Sequence, residues 1–388
     1  MEVIKTEKFE MLAKTFAGLE DILAKELEEI GAEKISIGKR MVSFHGNTEC
    51  MYKANFYLRT ALRILKPLYK AEIKTPEEYY DFFRNIEWEK HMNFHHTFAI
   101  DSVINTTVFN NSLYAAQRAK DAIVDRFREK YHKRPSVDIK QPMVPINVHM
   151  AGENITVSLD SSGEPLSKRG YRLADGGAPL NQVLAAAMIL YSGWDPNKPF
   201  IDPMTGSGTL AIEAAMIARN IPPGLLRKTY AFQNWLDYDR DLFNAMIDGV
   251  ELNEIRPKIF ANDISPEVIG IARQNAQKAL VSSFIRFSEG PIEDYKPRAK
   301  EGTIVINPPY GERLKPDEID ALYNEIGSSL KFNFNGMKAW IITSNTDALK
   351  NIGLKYTDKM KLYNGGLLCT YASYELFEGS RIDFLKSK

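Results

Sequence analysis

Asn307-Pro308-Pro309-Tyr310 is the stretch whose residue types point most directly to chemistry. An amine attached to a nucleobase ring is a weak nucleophile, because its lone pair is delocalised into the ring. Asn307 Oδ1 and the carbonyl of Pro308 can each accept one N–H of such an amine. That turns the lone pair toward an electrophile, which is catalysis by positioning and electrostatics. Prolines at 308 and 309 stiffen the loop. Tyr310 offers a ring on which a base drawn out of its helix can stack. No strong general base is required, since the amine sheds its proton after gaining its new substituent. The competing reading is a plain Asn-Pro-Pro turn that closes a strand.

A second cluster runs Asp202-Pro203-Met204-Thr205-Gly206-Ser207-Gly208-Thr209. Gly206 and Gly208 allow a tight turn and a close backbone approach to a ligand. Ser207 and Thr209 can cap the helix that follows, and the free N–H groups there suit a carboxylate or phosphate. Alone, such a loop is equally compatible with helix–strand packing. Two features favour S-adenosylmethionine over a nicotinamide dinucleotide. Asp202, just before the loop, would repel a pyrophosphate but suits the ammonium of a methionine. Asp263, in Asn262-Asp263-Ile264, is placed to accept hydrogen bonds from two ribose hydroxyls. It lies more than 50 residues past Gly208, against about 20 in dinucleotide folds, so 221–248 reads as an insertion. The alternative for Asp263 is a helix N-terminal acid ahead of Ser265-Pro266.

These residues need a sheet to hold them. From about residue 166 the pattern alternates: helix Pro179–Tyr191, strand Pro199–Ile201, helix Thr209–Arg219, strand Lys258–Asn262, helix Pro266–Leu280 and strand Ile285–Phe287. Strand Thr303–Ile306, helix Asp317–Leu330 and strand Lys338–Thr343 follow. Such alternation predicts a doubly wound, mostly parallel sheet, with both clusters at the carboxyl ends of strands, where ligands bind. A terminal hairpin, Met360–Leu362 with Leu368–Leu376, turns at Asn364-Gly365-Gly366. Two blocks precede this one, 1–50 and 51–165. The first has a helix over Gly18–Ile30 stopped by Gly31. The second has a helix starting at Thr75-Pro76, a β-branched strand Thr97–Val108, a helix Ser112–Lys130, and a hairpin of Pro145–His149 with Asn154–Leu159.

Composition narrows the class. Lys plus Arg and Asp plus Glu both number 50, so the net charge is zero and any nucleic-acid surface must be local. The two cysteines, Cys50 and Cys369, are too far apart for a CxxC pair, which argues against a disulfide framework and fits a reducing cytosol. The six histidines lie outside the third block without metal-like spacing, so no metal is expected. The N-terminus lacks the apolar core of a signal peptide. The longest apolar run, Val183–Leu190 extended by Tyr191, is far short of the roughly 20 residues a bilayer requires. The expectation is a cytoplasmic protein with no membrane partner.

With these residues in view, the third block resembles the methyltransferase domain of bacterial large-subunit ribosomal RNA guanine-N2 methyltransferases, often labelled as N6-adenine DNA methylases. The matching stretches are 202–215, Asn262–Ile264, Asn307–Leu314 and Leu362–Gly365. The second block resembles a THUMP RNA-binding domain through 119–126 and 134–138, and the join 162–172 is similar to the family's linker. The resemblance implies an α/β fold: a Rossmann-like class I methyltransferase domain (166–388), whose seven-stranded sheet ends in an antiparallel hairpin. An N-terminal ferredoxin-like unit (1–50) and a THUMP domain (51–165), both α+β, would precede it. It also implies S-adenosylmethionine as cofactor and RNA as partner, rRNA ahead of tRNA. Asp202, Pro203, Met204, Thr205, Gly206, Ser207 and Gly208 would hold the methionine part, and Asp263 with Ile264 the ribose. Asn307, Pro308, Pro309 and Tyr310 would hold the target base, with Asn307 also bordering the cofactor. The acid for the adenine amine would be Glu289 or Asp294. Alternatives are a tRNA guanine-N2 or adenine-N6 methyltransferase, or a non-catalytic RNA-binding factor.

For RNA contact, Arg118–Lys140 holds eight Lys/Arg against four Asp/Glu, a local excess that could dock phosphates. Arg118, Lys120, Lys133 and Arg134 lead this set; the alternative is a solvated helix face. Lys168, Arg169 and Arg172 at the join could clamp RNA or pack internally. Arg313 could touch a phosphate beside the target base. The aromatics of 221–248 could stack bases or form a small satellite core.

Overall fold

A computed structural model describes residues 7–173, 179–309 and 316–378. The chain forms two compact units. One is built from the chain up to Thr15, Leu23–Leu166 and Arg227–Gly249; the other from Phe16–Ile22, Ser167–Leu226 and the chain from Val250 on.

The first unit is organised on an eight-stranded sheet. Its strands are β1 (Phe9–Lys14), β2 (Glu33–Gly38), β3 (Met41–Gly46), β4 (Arg63–Glu72), β5 (Thr97–Asn105), β6 (Ser136–Val137), β7 (Val144–Ala151) and β8 (Asn154–Asp160), in the order β2-β3-β1-β4-β8-β7-β5-β6. β4 pairs antiparallel with β1 on one side and β8 on the other, so the first two sequence blocks share one sheet. The β7–β8 hairpin closes at Ala151↔Asn154, where the sequence places a turn. The helix Ser112–Tyr131 buries Ala115, Ala119, Ala122, Ile123 and Phe127, a helical-period stripe. The aromatic part of the insertion belongs to this unit. Tyr230, Phe232, Trp235 and Phe243 are buried. Phe232 stacks on Tyr52 at 4.5 Å between centroids, and Phe243 meets Tyr52 edge-on at 5.6 Å. The set is therefore a satellite core, because its rings are consumed by packing.

The second unit carries a seven-stranded sheet. Its strands are β9 (Phe200–Asp202), β10 (Ile259–Asp263), β11 (Ile285–Glu289), β12 (Thr303–Ile306), β13 (Lys338–Thr343), β14 (Asp358–Asn364) and β15 (Leu367–Glu375), in the order β11-β10-β9-β12-β13-β15-β14. β9 to β13 are parallel; β15 runs antiparallel between β13 and β14. β9, β10 and β12 are mostly apolar and buried, as strands covered on both faces require, whereas edge strand β11 is largely exposed. The helices Gln182–Ser192 and Thr209–Ala218 are buried nearly all round. This is the class I methyltransferase fold, and its strand order reverses between β9 and β12.

Candidate active site

The reversal opens a crevice at the carboxyl ends of β9, β10 and β12, the place such sheets offer a ligand. A cavity of about 1060 Å³ lies there, walled by Pro203–Ser207 after β9, Asp263 and Ile264 after β10, Gly290–Glu293 after β11 and Asn307–Pro309 after β12. Asn364, Gly365 and Leu367 of the terminal hairpin complete part of the wall.

Asp202 ends β9 with its side chain fully buried. Its Oδ2 accepts a hydrogen bond from the Thr205 hydroxyl at 2.7 Å, while Oδ1 has no partner among the described residues. Burial, with a smaller push from Asp263, raises its pKa to about 7. Asp202 is not itself on the cavity wall, whereas Thr205, its hydrogen-bond partner, is. A buried carboxylate with an orphaned oxygen and no counter-charge is a site a cation would stabilise.

Gly206 adopts φ +54°, with open space where a Cβ would sit, and lines the cavity. Its N–H donates to Asp263 Oδ2 at 2.8 Å, and the Ser265 N–H donates to Oδ1 at 3.1 Å. Asp263 is thus held rigidly, and each oxygen retains a lone pair for a hydroxyl donor. Gly208 differs: at φ +85° its Cβ position falls 3.1 Å from Ala272 Cβ. It serves close helix packing behind the loop rather than the cavity. Ile264 is 69% exposed at the rim.

Asn307 follows β12, and its buried Oδ1 has no partner among the described residues. Pro308 and Pro309 continue the wall. Tyr310 and Arg313 lie outside the described residues. The two orphaned oxygens, on Asp202 and Asn307, close adjacent strands at the same end of the sheet. An aminoacyl nucleoside carrying a sulfonium fits this donor and acceptor set: an anion for an ammonium, a fixed carboxylate for a ribose, and apolar walls.

Other positioning groups were not singled out from the sequence. Asn262 donates from Nδ2 to Pro203 O at 3.3 Å and Gly290 O at 2.8 Å, and accepts from Ser288 Oγ at 2.9 Å. One amide on β10 therefore ties the loops after β9 and β11. Asn275 donates from Nδ2 to Ser207 O at 3.0 Å and accepts from Leu173 N–H at 2.9 Å. Its signal was available: it is the polar member of the buried helical stripe Ile269, Ala272, Asn275, Ala276. Glu289 and Asp294 do not line the cavity, whereas Glu293 does.

The basic residues separate on inspection. Lys133 and Arg134 are exposed, with the Lys133 ammonium 4.8 Å from the Phe94 ring centre. Arg118 is half-buried over Tyr80 at 4.5 Å, and Lys120 pairs with Asp121 at 2.5 Å. Lys168 is exposed. Arg169 is a correction: it is 1% exposed, with Nε 3.6 Å from the buried Glu213 Oε1, and cannot reach a phosphate. A guanidinium at that depth requires a carboxylate, and Glu213 supplies it. Arg172 spends its donors on Leu180 O at 2.9 Å and Thr209 Oγ1 at 2.8 Å, bracing the start of the glycine-loop helix.

Comparison with known proteins finds three family matches along the chain. Residues 169–373 match a family described as RMKL-like, methyltransferase domain; 10–65 match an RlmL ferredoxin-like domain and 74–160 a THUMP domain. A Synechocystis sp. protein named as an RNA methyltransferase is 35% identical over 364 residues, covering 93% of this chain and 95% of that protein. The ribosomal RNA large subunit methyltransferase K/L of Syntrophotalea carbinolica is 37% identical over 376 residues, and the chain spans only 53% of its length. The crystal structure of SMU.472, described as a methyltransferase complexed with SAH, superposes with a TM-score of 0.86 at 31% identity, covering 97% of this chain and 100% of that one.

Proposed function

Because the chain belongs to the RMKL-like methyltransferase family, with RlmL ferredoxin-like and THUMP domains ahead of the methyltransferase domain, we propose that it transfers a methyl group from S-adenosylmethionine to RNA. The acceptor in this reading is the exocyclic N2 of a guanine in large-subunit ribosomal RNA. The name of the Syntrophotalea relative supports the RNA class, and the motif resemblance of the third block to guanine-N2 enzymes supports the base.

The observation that carries the reading is the buried, unpartnered Asn307 Oδ1 beside a cavity floored by the glycine loop and Asp263. When bound, S-adenosylmethionine supplies an electrophilic methyl on a sulfonium. The chain's own part is positional. Asn307 Oδ1 accepts one N–H of the base amine and the Pro308 carbonyl the other, so the lone pair is directed out of the ring plane. The proline pair keeps both acceptors in place, and the apolar wall excludes water. Tyr310 stacks on the extruded base. Asp263 accepts from the ribose hydroxyls, and Asp202 balances the ammonium. Residues 51–165 capture RNA, with Lys133 and Arg134 as the accessible cations.

The test is incubation of the protein with methyl-labelled S-adenosylmethionine and large-subunit rRNA, followed by nucleoside mass spectrometry. Label in N2-methylguanosine is expected. Label confined to N6-methyladenosine, or found only with tRNA, would replace the acceptor; no label with any RNA would overturn the reading.

A further inference from the structure

The amino-terminal ends of the strands in the second unit face away from the active-site crevice, yet they carry a deep groove of about 1300 Å³. Its walls hold Arg219, Arg256, Lys258, Arg286, Arg298 and Lys300. Only two carboxylates, Glu254 and Glu301, join them. Six cations against two anions is a strong local excess in a chain whose net charge is zero. Among the described residues, none of these six makes an ion pair with a carboxylate; Glu301 is taken by Lys198 at 2.9 Å.

That is the reverse of the basic helix Ser112–Tyr131. There Arg126 and Lys130 both pair with Glu89, Arg128 with Asp125 and Lys120 with Asp121. Those two cations hold the Glu89 carboxyl down to about 2. The sequence excess on that helix is therefore largely neutralised, whereas the groove's charge is uncompensated.

The groove's cations are also organised. The Arg219 guanidinium sits 5.1 Å from the Phe284 ring centre and donates to Ile255 O at 3.1 Å. Arg286 lies 5.9 Å from Phe260. Stacked guanidinium groups lose little freedom on meeting a phosphate. The groove continues along edge strand β11. Arg286 and Arg298 also line a neighbouring depression of about 550 Å³, with Arg273 and Lys296. That depression ends at Gly290 and Pro291, which also wall the candidate active site. Glu289 and Asp294 also line the depression, so cations outnumber acids four to two there, and a net positive charge runs from the amino end of the sheet, round its free edge, toward the rim of the cavity.

We propose that this track on the methyltransferase unit is a second RNA-binding surface, gripping the phosphate backbone of the substrate strand. The proposal rests on the RNA reading above. An RNA backbone fits because the track is continuous, leads to the site where a base would be processed, and offers point and planar cations rather than an apolar pocket.

The test is a salt titration of RNA affinity with a single-stranded rRNA fragment, comparing wild type with Arg286→Gln/Arg298→Gln. Each lost phosphate contact on a single strand reduces the slope of log K against log salt by about 0.7. The double variant is expected to be shallower by about 1.4. Both side chains are exposed, so folding is preserved, and S-adenosylhomocysteine affinity by calorimetry is expected to match wild type. An unchanged slope in a protein that still methylates RNA overturns the track alone, and leaves an acidic protein segment as its occupant. A wild type that binds and methylates no RNA overturns the RNA reading and the track together.

Discussion

In the proposed function Asp202 and Asn307 bear the chemistry at residue scale, and each yields a measurable consequence. Asp202 has its pKa raised to about 7 by burial. An ammonium ligand favours the ionised form, so binding lowers that pKa and releases a proton. Affinity for S-adenosylhomocysteine should therefore fall as pH drops below about 7, by up to tenfold per unit. It should flatten once the bound-state pKa is passed. Calorimetry across roughly pH 5.5 to 8 reads the slope. In Asp202→Asn the acidic slope should vanish, with affinity down by about 10-fold or more, the worth of a charged hydrogen bond. A wild-type profile flat across the range would separate Asp202 from the ammonium. In the same reading, Asn307→Ala removes the acceptor that aligns the amine. Turnover should fall by about 100-fold or more while cofactor affinity holds; equal turnover would take the amide out of the mechanism. The types and spacing of both residues were legible from the sequence. The depth of Asp202 was not, because a side chain's burial is set by which strands flank it.

Among the elements, the glycine loop shows how two similar residues do different work. Gly206 is open to the cavity and Gly208 abuts Ala272. Both adopt positive φ, so an alanine at either incurs backbone strain of about 1–2 kcal/mol. At 208 the new methyl also crowds Ala272 of the helix Pro266–Lys278, so Gly208→Ala should lose more thermal stability than Gly206→Ala. Gly206→Ala should instead weaken S-adenosylhomocysteine, because its methyl enters the cavity. Thermal melts with and without ligand separate the two; the reverse ranking would contradict the assignment. Most strands and helices of this unit were readable because its central parallel strands are apolar runs between amphipathic or buried helices. What the pattern could not give was the cross-ties, such as Asn262 on β10 joining the loops after β9 and β11. Those depend on strand order, and the sequence supplies elements before it supplies neighbours.

Across the whole molecule, zero net charge conceals a division of labour that only pairing reveals. The basic run Arg118–Lys140 is conspicuous in sequence, yet several of its cations meet carboxylates, some brought from as far along the chain as Glu89. Arg219, Arg256, Lys258, Arg286 and Arg298 are scattered along the sequence and become one surface only when β10 and β11 align. The same limit applies to the insertion, whose aromatics pack with Tyr52 from a distant segment. Lys133 and Arg134, just past the helix end, escape the neutralisation and remain exposed. Replacing both with glutamine should make the salt slope of RNA binding shallower by about 1.4 on a single strand. If these residues and the track in the other unit touch one RNA at separate phosphates, the quadruple variant should lose about 2.8, the sum of the two. A quadruple variant no shallower than either double would mean the two surfaces do not hold the same RNA together. A sum would mean that recognition is shared between the units, with each supplying charge that its own acids leave uncompensated.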